Sequence, residues 1–429
     1  MGYVVKVSRL YDGVDSKITE DRAVAIQGGR FVWIGSSADE IPERYRTWPV
    51  ASAEEFTMIP GLIDGHVHLC NDSVPDRAMV ILTDLPGAAT LRALQNARAT
   101  LDMGFTTVRD CAGLEVMALR DAGRAGAFTV PRIQSAGYGI CGTGGHMDRD
   151  KFYNARLRDN PGVADSPDEV RRVARTLLKL GVDFIKVNAT RGFGGKIRGH
   201  QEMTSDEMTA ATEIAHKVGK RVASHAMGTD GIKGSLDARV DSVEHGFWLT
   251  PELADQMAAQ GTFLLPTAAT LYRNVTRGFY RGGMTDAELS KMHDLAASAR
   301  EAMFESLSMA MDSGVKIAVG SDMGGGPFLY HGENATELEQ LVEAGMTPIE
   351  ALKAGTSTCA DLMDLGTELG RIASGYLADF VLVRGNPDED ISLLSHRDSI
   401  AAVFMEGRSV RIDEDLARDF PTDSDEIVQ

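Results

Sequence analysis

The chain has 429 residues, of which 43% are hydrophobic, 6% aromatic and 45 glycine, and its formal net charge is −18. Such a length suits a barrel of roughly 250–400 residues with a small appended domain, and the many glycines suit frequent tight turns. The charge argues against a nucleic-acid partner, whose phosphates it would repel, and solvated surface carries most of it, so it does not imply a cationic substrate.

From the N-terminus, 3–7 is rich in β-branched residues, and 23–34 reads as two short strands around a turn at Gly28 and Gly29. Eight candidate strands follow at 61–69, 105–110, 132–137, 184–188, 221–225, 242–245, 263–266 and 316–322. Helical patterns separate most of them, such as 167–180 after a Ser-Pro-Asp start and 205–218 with Ser205 as the expected N-cap. Alternation of this kind predicts parallel β/α units. At the C-terminal end, 379–383, 400–405 and 408–412 are strand-like again, and the acidic stretch after Leu416 (Asp419, Asp423, Asp425, Glu426) reads as a solvated or disordered tail. The expected fold is therefore α/β: a (β/α)8 TIM-like barrel over 58–371, with a small β-sandwich built from both termini, 1–57 and 372–429.

Several of these strands end in metal-ligand residue types, and barrel active sites lie at the C-terminal ends of strands. His66 and His68 end the first run, PGLIDGHVHL. Strand residues two apart face one side, so both imidazoles can reach one point inside the barrel. Lys186 lies in DFIKVN, where a lysine in a buried strand is costly unless it is salt-bridged or chemically altered, for instance by adding CO2. His225 ends RVASH, His245 ends DSVEH, and Asp322 ends KIAVGSD ahead of an open MGGG stretch. Taken singly, each has an ordinary reading as a core histidine or a helix-capping aspartate. Six such residues closing five strands point instead to one site for divalent metal.

Cys70, Cys111, Cys141 and Cys359 are widely spaced and form no CxxC pair, as expected of reduced, partly buried thiols in a cytoplasmic protein. MGYVVKVSRLYDG lacks the apolar core of a signal peptide, and no run approaches the ~18 apolar residues of a membrane span. A Walker loop is also missing: GFGGK around Phe193 has the wrong spacing and no following Ser or Thr.

The motifs PGLIDGHVHL, GFTTVRDCAG, PRIQSAG, GTGGHMD, DFIKVNA, VASHAMG, SVEHG, GSDMG, HGENATELEQLVEAGMTPIEALKAGT and LGRIASGYLADFVLVRGNP together resemble the amidohydrolase superfamily over about 58–387. The likeness is to its imidazolonepropionase-like group, which includes Xaa-Pro dipeptidases and related carboxypeptidases. It implies two divalent metal ions, zinc being expected, that activate water against an amide-like bond. By position, His66, His68 and Asp322 resemble the ligands of the more buried metal, His225 and His245 those of the second, and Lys186 the carboxylated lysine that bridges both. Mononuclear imidazolonepropionases lack that lysine, so the resemblance disfavours their activity here. Asp322 is the implied proton carrier. His146 in GTGGH resembles a histidine that polarises the substrate carbonyl, and His331 in YHGENA either positions substrate or caps a helix.

Arg191, Lys196 and Arg198, in the Gly-rich loop after the Lys186 strand, are candidates to hold a carboxylate on a small-molecule substrate such as a peptide or N-acyl amino acid. Dipeptidase-like members place a substrate-contacting tyrosine before the next helix. Met203 stands near that place here, so His200 or Gln201 is the candidate substitute. Relatives are often oligomeric, and a homo-oligomer is expected. A cyclic amide, lactone, carbamate or xenobiotic amide remains an alternative substrate, and a non-catalytic scaffold barrel is the alternative of another class.

Overall fold

The structure is a computed structural model that describes residues 2–14, 16–35, 41–74, 80, 83–85, 87–148, 161–192, 200–280 and 284–421. The N-terminal strands are β1 (Gly2–Leu10), β2 (Thr19–Gln27), β3 (Arg30–Gly35) and β4 (Val50–Pro60). One residue separates β4 from β5 (Leu62–Val67). The β/α alternation then runs α1 (Ala88–Asp102), β6 (Phe105–Asp110), α2 (Val116–Arg124), β7 (Arg132–Ser135), α3 (Pro167–Leu180) and β8 (Ile185–Asn188). It continues with α4 (Ser205–His216), β9 (Val222–Ala226), α5 (Thr229–Asp237), β10 (Ser242–His245), α6 (Pro251–Gln260) and β11 (Phe263–Leu265). After α7 (Ala268–Thr276) and α8 (Asp286–Asp312) come β12 (Lys316–Ile317), α9 (Thr336–Glu343), α10 (Pro348–Lys353) and α11 (Cys359–Leu362). The chain closes with β13 (Phe380–Arg384), β14 (Ile400–Met405) and β15 (Arg408–Ile412).

Local chemistry explains the helix ends. In α3, Ser166 caps the N-terminus by accepting from the Glu169 N–H, Pro167 opens the first turn, and Gly181 ends the helix in a left-handed conformation. Its Val170, Val173, Ala174 and Leu177 form one buried stripe. At α4 the cap is Thr204 and not Ser205. Thr204 accepts from the Glu207 N–H while the Glu207 side chain returns to the Thr204 N–H, a reciprocal box that Ser205, one place later, cannot make.

Parallel pairing joins β8 to β12 in sequence order, and β5, β6 and β7 in a second sheet. The sheets also meet through backbone hydrogen bonds. Gly65 donates to Val319 and Asp322 to His66 on one side, and Ile140 donates to Lys186 on the other. β5, β6, β8, β9 and β10 are buried along their whole length, as strands covered on both faces must be. Among the described residues no helix is long and apolar enough to cross a membrane.

The two chain ends share one seven-stranded sheet in the order β15-β14-β13-β4-β1-β2-β3, joined where β4 pairs with β13. A sandwich of two sheets was the expectation. A single sheet curls over its own face instead: the Phe31 and Phe380 rings lie 6.1 Å apart. Their strands are four steps apart in the sheet, about 19 Å if it were flat at ~4.8 Å per step. Phe31, Phe380, Phe404, Val5, Ile26 and Met58 share the enclosed core. The opposite face, with Ile59, Val381, Val383 and Val403, joins the barrel core. The expected solvated tail also needs correction. Phe420 is buried against Tyr3 and Phe404, because an aromatic side chain four residues past Leu416 finds the apolar interior of the sheet. Asp419 stays exposed, and Asp423, Asp425 and Glu426 lie outside the described residues.

Candidate metal centre

Alternation along a parallel strand sends every second side chain into the barrel. β5 thereby presents His66, with His68 just beyond it, while β8 presents Lys186, β9 His225 and β10 His245; Asp322 lies in the segment after β12. All six line one cavity of about 220 Å³. His66 Nε2 and His68 Nε2 lie 3.5 and 3.1 Å from Asp322 Oδ1. His245 Nε2 lies 2.7 Å from His225 Nδ1. The His66 ring is 5.3 Å from that of His68 and 5.5 Å from that of His245, centroid to centroid.

The backbone is bent to achieve this. His245, Thr267 and Asp322 hold left-handed conformations (φ 78°, 52° and 56°) that cost on the order of 1–3 kcal/mol each for side chains bearing a Cβ. Gly325 must be glycine for a different reason: a Cβ there would lie 2.0 Å from Asp322 Oδ1.

Electrostatics set the groups as ligands. Burial lowers the His66 pKa to about 4, with the Lys186 charge adding to the effect and Glu244 opposing it, and burial lowers His245 to about 3. Both imidazoles are therefore neutral and hold a free lone pair near neutrality. Burial alone would raise the Asp322 pKa, but the hydrogen bond with His68 and the neighbouring imidazoles outweigh it and keep the carboxyl ionised. Lys186 is 4% exposed, and its amine has no hydrogen-bond partner among the described residues. A bare ammonium so placed is costly, whereas an amine completed by CO2 would gain an anion facing the imidazoles. A neutral imidazole–carboxylate donor set converging on one cavity, beside this orphaned amine, fits divalent metal ions.

The surrounding scaffold contains residues that the sequence reading missed. Glu244, fully buried, accepts from His66 Nδ1 at 2.6 Å, Arg109 Nη2 at 2.8 Å and Ser242 Oγ at 2.6 Å. Burial opposes its ionisation, yet Arg109, Lys186 and His66 together hold its pKa well below the usual carboxylate range. It fixes the His66 tautomer so that Nε2 faces Asp322. Asp64 accepts from the His66 N–H and the Ser321 N–H, both at 3.0 Å, and from Asn334 Nδ2 at 2.8 Å, so it ties β5 to the segment bearing Asp322. The available signal was the one used for Lys186: charged residues inside apolar strand runs, DSVEH and PGLIDGHVHL, require a partner.

His146 lines the cavity with its ring stacked 3.9 Å from that of His225, and its backbone N–H donates to Glu202 Oε1. His331 does not line it; its Nε2 lies 3.2 Å from the carbonyl oxygen of His68, behind the ligand set. Arg191 and His200 are exposed, and of that loop Gly192 lines the cavity. Lys196 and Arg198 lie outside the described residues. Met203 is fully buried in the barrel core. All four cysteines are buried and unpaired, and burial pushes the thiol of Cys111, which lines the cavity, up to about 12.

The family model described as Amidohydrolase family matches residues 57–410. The chain is 26% identical to an ochratoxinase of Aspergillus niger over 430 aligned residues, covering 94% of this chain and 86% of that one. It is 25% identical to an imidazolonepropionase of Cupriavidus taiwanensis, covering 93% of each. Among solved structures it is similar to a Xaa-Pro dipeptidase with methionine bound in the active site, at 31% identity and a TM-score of 0.84, covering 96% of this chain and 100% of that one.

Proposed function

The chain belongs to the amidohydrolase family, and from that premise we propose that it is a binuclear metal-dependent hydrolase cleaving an amide C–N bond of a small molecule, in the manner of a dipeptidase or carboxypeptidase. His66, His68 and Asp322 would hold one divalent ion, His225 and His245 the other, and a carboxylated Lys186 would bridge them. We take zinc as the ion, since borderline divalent metals favour imidazole and carboxylate together. When bound, the metals supply Lewis acidity toward the scissile carbonyl and bring the pKa of water toward neutrality.

The chain's own residues do the rest. Asp322, ionised and 3.1 Å from His68 Nε2, would take a proton at its carboxylate and return it to the leaving nitrogen. His146, on the cavity wall against His225, would donate to a carbonyl oxygen as charge develops there. Glu244 and Thr267 hold the His66 and His245 rings by hydrogen bonds of 2.6 and 2.7 Å. No cysteine or serine nucleophile is needed.

The observation that carries this reading is the convergence of six strand-end side chains on one cavity with the Lys186 amine unpartnered. A panel of N-acyl amino acids, Xaa-Pro and Xaa-Arg dipeptides, cyclic amides and lactones, run on metal-loaded and chelator-treated protein, tests it. Metal-dependent cleavage of a linear amide is expected. Cleavage of lactones or cyclic amides alone would move the function elsewhere on the same fold, and no bindable metal would favour a scaffold. Arg191, the sequence candidate for a substrate carboxylate, is exposed and does not line the cavity, so it carries no part of this reading.

A further inference from the structure

Part of the cavity wall is helix α7, which follows β11 and carries Thr270 and Asn274 on one face, since residues four apart on a helix are stacked. Thr270 Oγ1 lies 3.3 Å from Asp322 Oδ2. Asn274 therefore stands about one turn, ~6 Å, further from the reacting centre. It is 2% exposed, and its carboxamide oxygen is shielded from solvent with no hydrogen-bond partner among the described residues. Its helix neighbours are tied: Thr267 to His245, and Arg273 to Glu333 and Thr336. A buried carboxamide left incomplete in this way is unfavourable, and a ligand group in the cavity that Asn274 lines would complete it.

We propose that Asn274 is a specificity-determining residue that reads a neutral amide group next to the scissile bond, so that the preferred substrates are peptide-like amides or N-acyl amino acid amides with an apolar side chain. This rests on the amide-hydrolase reading above. A carboxamide offers one acceptor and two donors. A substrate amide presents N–H and C=O side by side and completes both ends, whereas a carboxylate presents acceptors only and leaves the Asn274 oxygen orphaned. Among the described residues the cavity lining contains no arginine, and Lys186 is its one lysine. Phe279, Met292 and Pro327 also line the cavity and offer apolar surface for the substituent.

The test compares N-benzoyl-leucinamide with N-benzoyl-leucine on the metal-loaded full chain, following benzoate release, for the wild type, Asn274→Leu and Asn274→Ala. The leucine variant replaces an unsatisfied polar group by an apolar one of similar volume, so its melting temperature should not fall. We expect the wild type to prefer the amide by roughly ten-fold or more in kcat/KM, chiefly through KM, and the leucine variant to reduce that preference to about one. An unchanged preference in both folded variants, or a wild-type preference for the acid, overturns the assignment. If the wild type cleaves neither compound, the amide-hydrolase reading is decided by the wider panel above. Asn274 is then judged by calorimetric binding of leucinamide and leucine: tighter leucinamide binding that the leucine variant abolishes supports it, and equal affinity in the wild type overturns it.

Discussion

Replacing Glu244 by glutamine would preserve shape and remove one buried charge. Its two oxygens serve Arg109 Nη2 at 2.8 Å and His66 Nδ1 at 2.6 Å, and the side chains of Arg109 and Glu244 are 2% and 0% exposed. Breaking a pair so buried leaves a guanidinium with only neutral partners, Gly65 O and Ser242 Oγ, at a cost of about 3–5 kcal/mol, toward the lower end because glutamine keeps one acceptor. At no more than ~2 °C per kcal/mol for a chain of this size, the melting temperature should fall by several degrees. The second effect is on metal. An amide N–H facing His66 Nδ1 competes with the tautomer that points a bare Nε2 at Asp322, so affinity should weaken by roughly 10–100-fold. Scanning calorimetry of the metal-free protein reads the first effect, and competition against a fluorescent chelator reads the second. Wild-type values for both would refute the idea that Glu244 clamps His66 to Arg109.

Other consequences are equally concrete. Glu337 is fully buried, accepts from the Ala269 N–H at 2.7 Å, and has its pKa raised from 4.5 to about 8 by burial. The folded state therefore keeps a proton that the unfolded chain releases, so this contribution to stability is complete below about pH 4.5 and lost as pH rises to about 8, at up to ~1.4 kcal/mol per unit. Denaturant unfolding of wild type and Glu337→Gln at pH 5 and 8 should show a smaller pH-dependent loss in the variant; parallel losses would contradict this. Asp322→Asn should lower kcat by roughly 10²–10⁴ with little change in KM, in preparations matched for metal content, and full turnover would defeat the proton-carrier role. Gly325→Ala, whose Cβ would stand 2.0 Å from Asp322 Oδ1, should cut bound metal measured by mass spectrometry, and normal content would show that the loop yields easily.

Much of this was readable because its signals are local. Apolar runs ending in polar residues marked the eight strands and singled out His66, His68, Lys186, His225, His245 and Asp322, which the structure gathers around one cavity. What escaped depends on partners far along the chain. Glu244 makes sense only beside Arg109, 135 residues away, and Asp64 only beside Asn334, 270 away. The single curled terminal sheet likewise depends on β4 pairing with β13, which strand propensity does not reveal. The α4 cap was missed by one residue because Thr204 and Ser205 are both good caps and only the Glu207 spacing decides between them.

A crystal structure of the metal-loaded protein, with anomalous scattering recorded at the zinc edge, reaches the heart of the account. Two peaks should appear, one among His66, His68 and Asp322 and one between His225 and His245, with electron density continuing past the Lys186 amine to reach both. A cavity without anomalous signal, or a lysine ending bare at its amine between two metals, would contradict it.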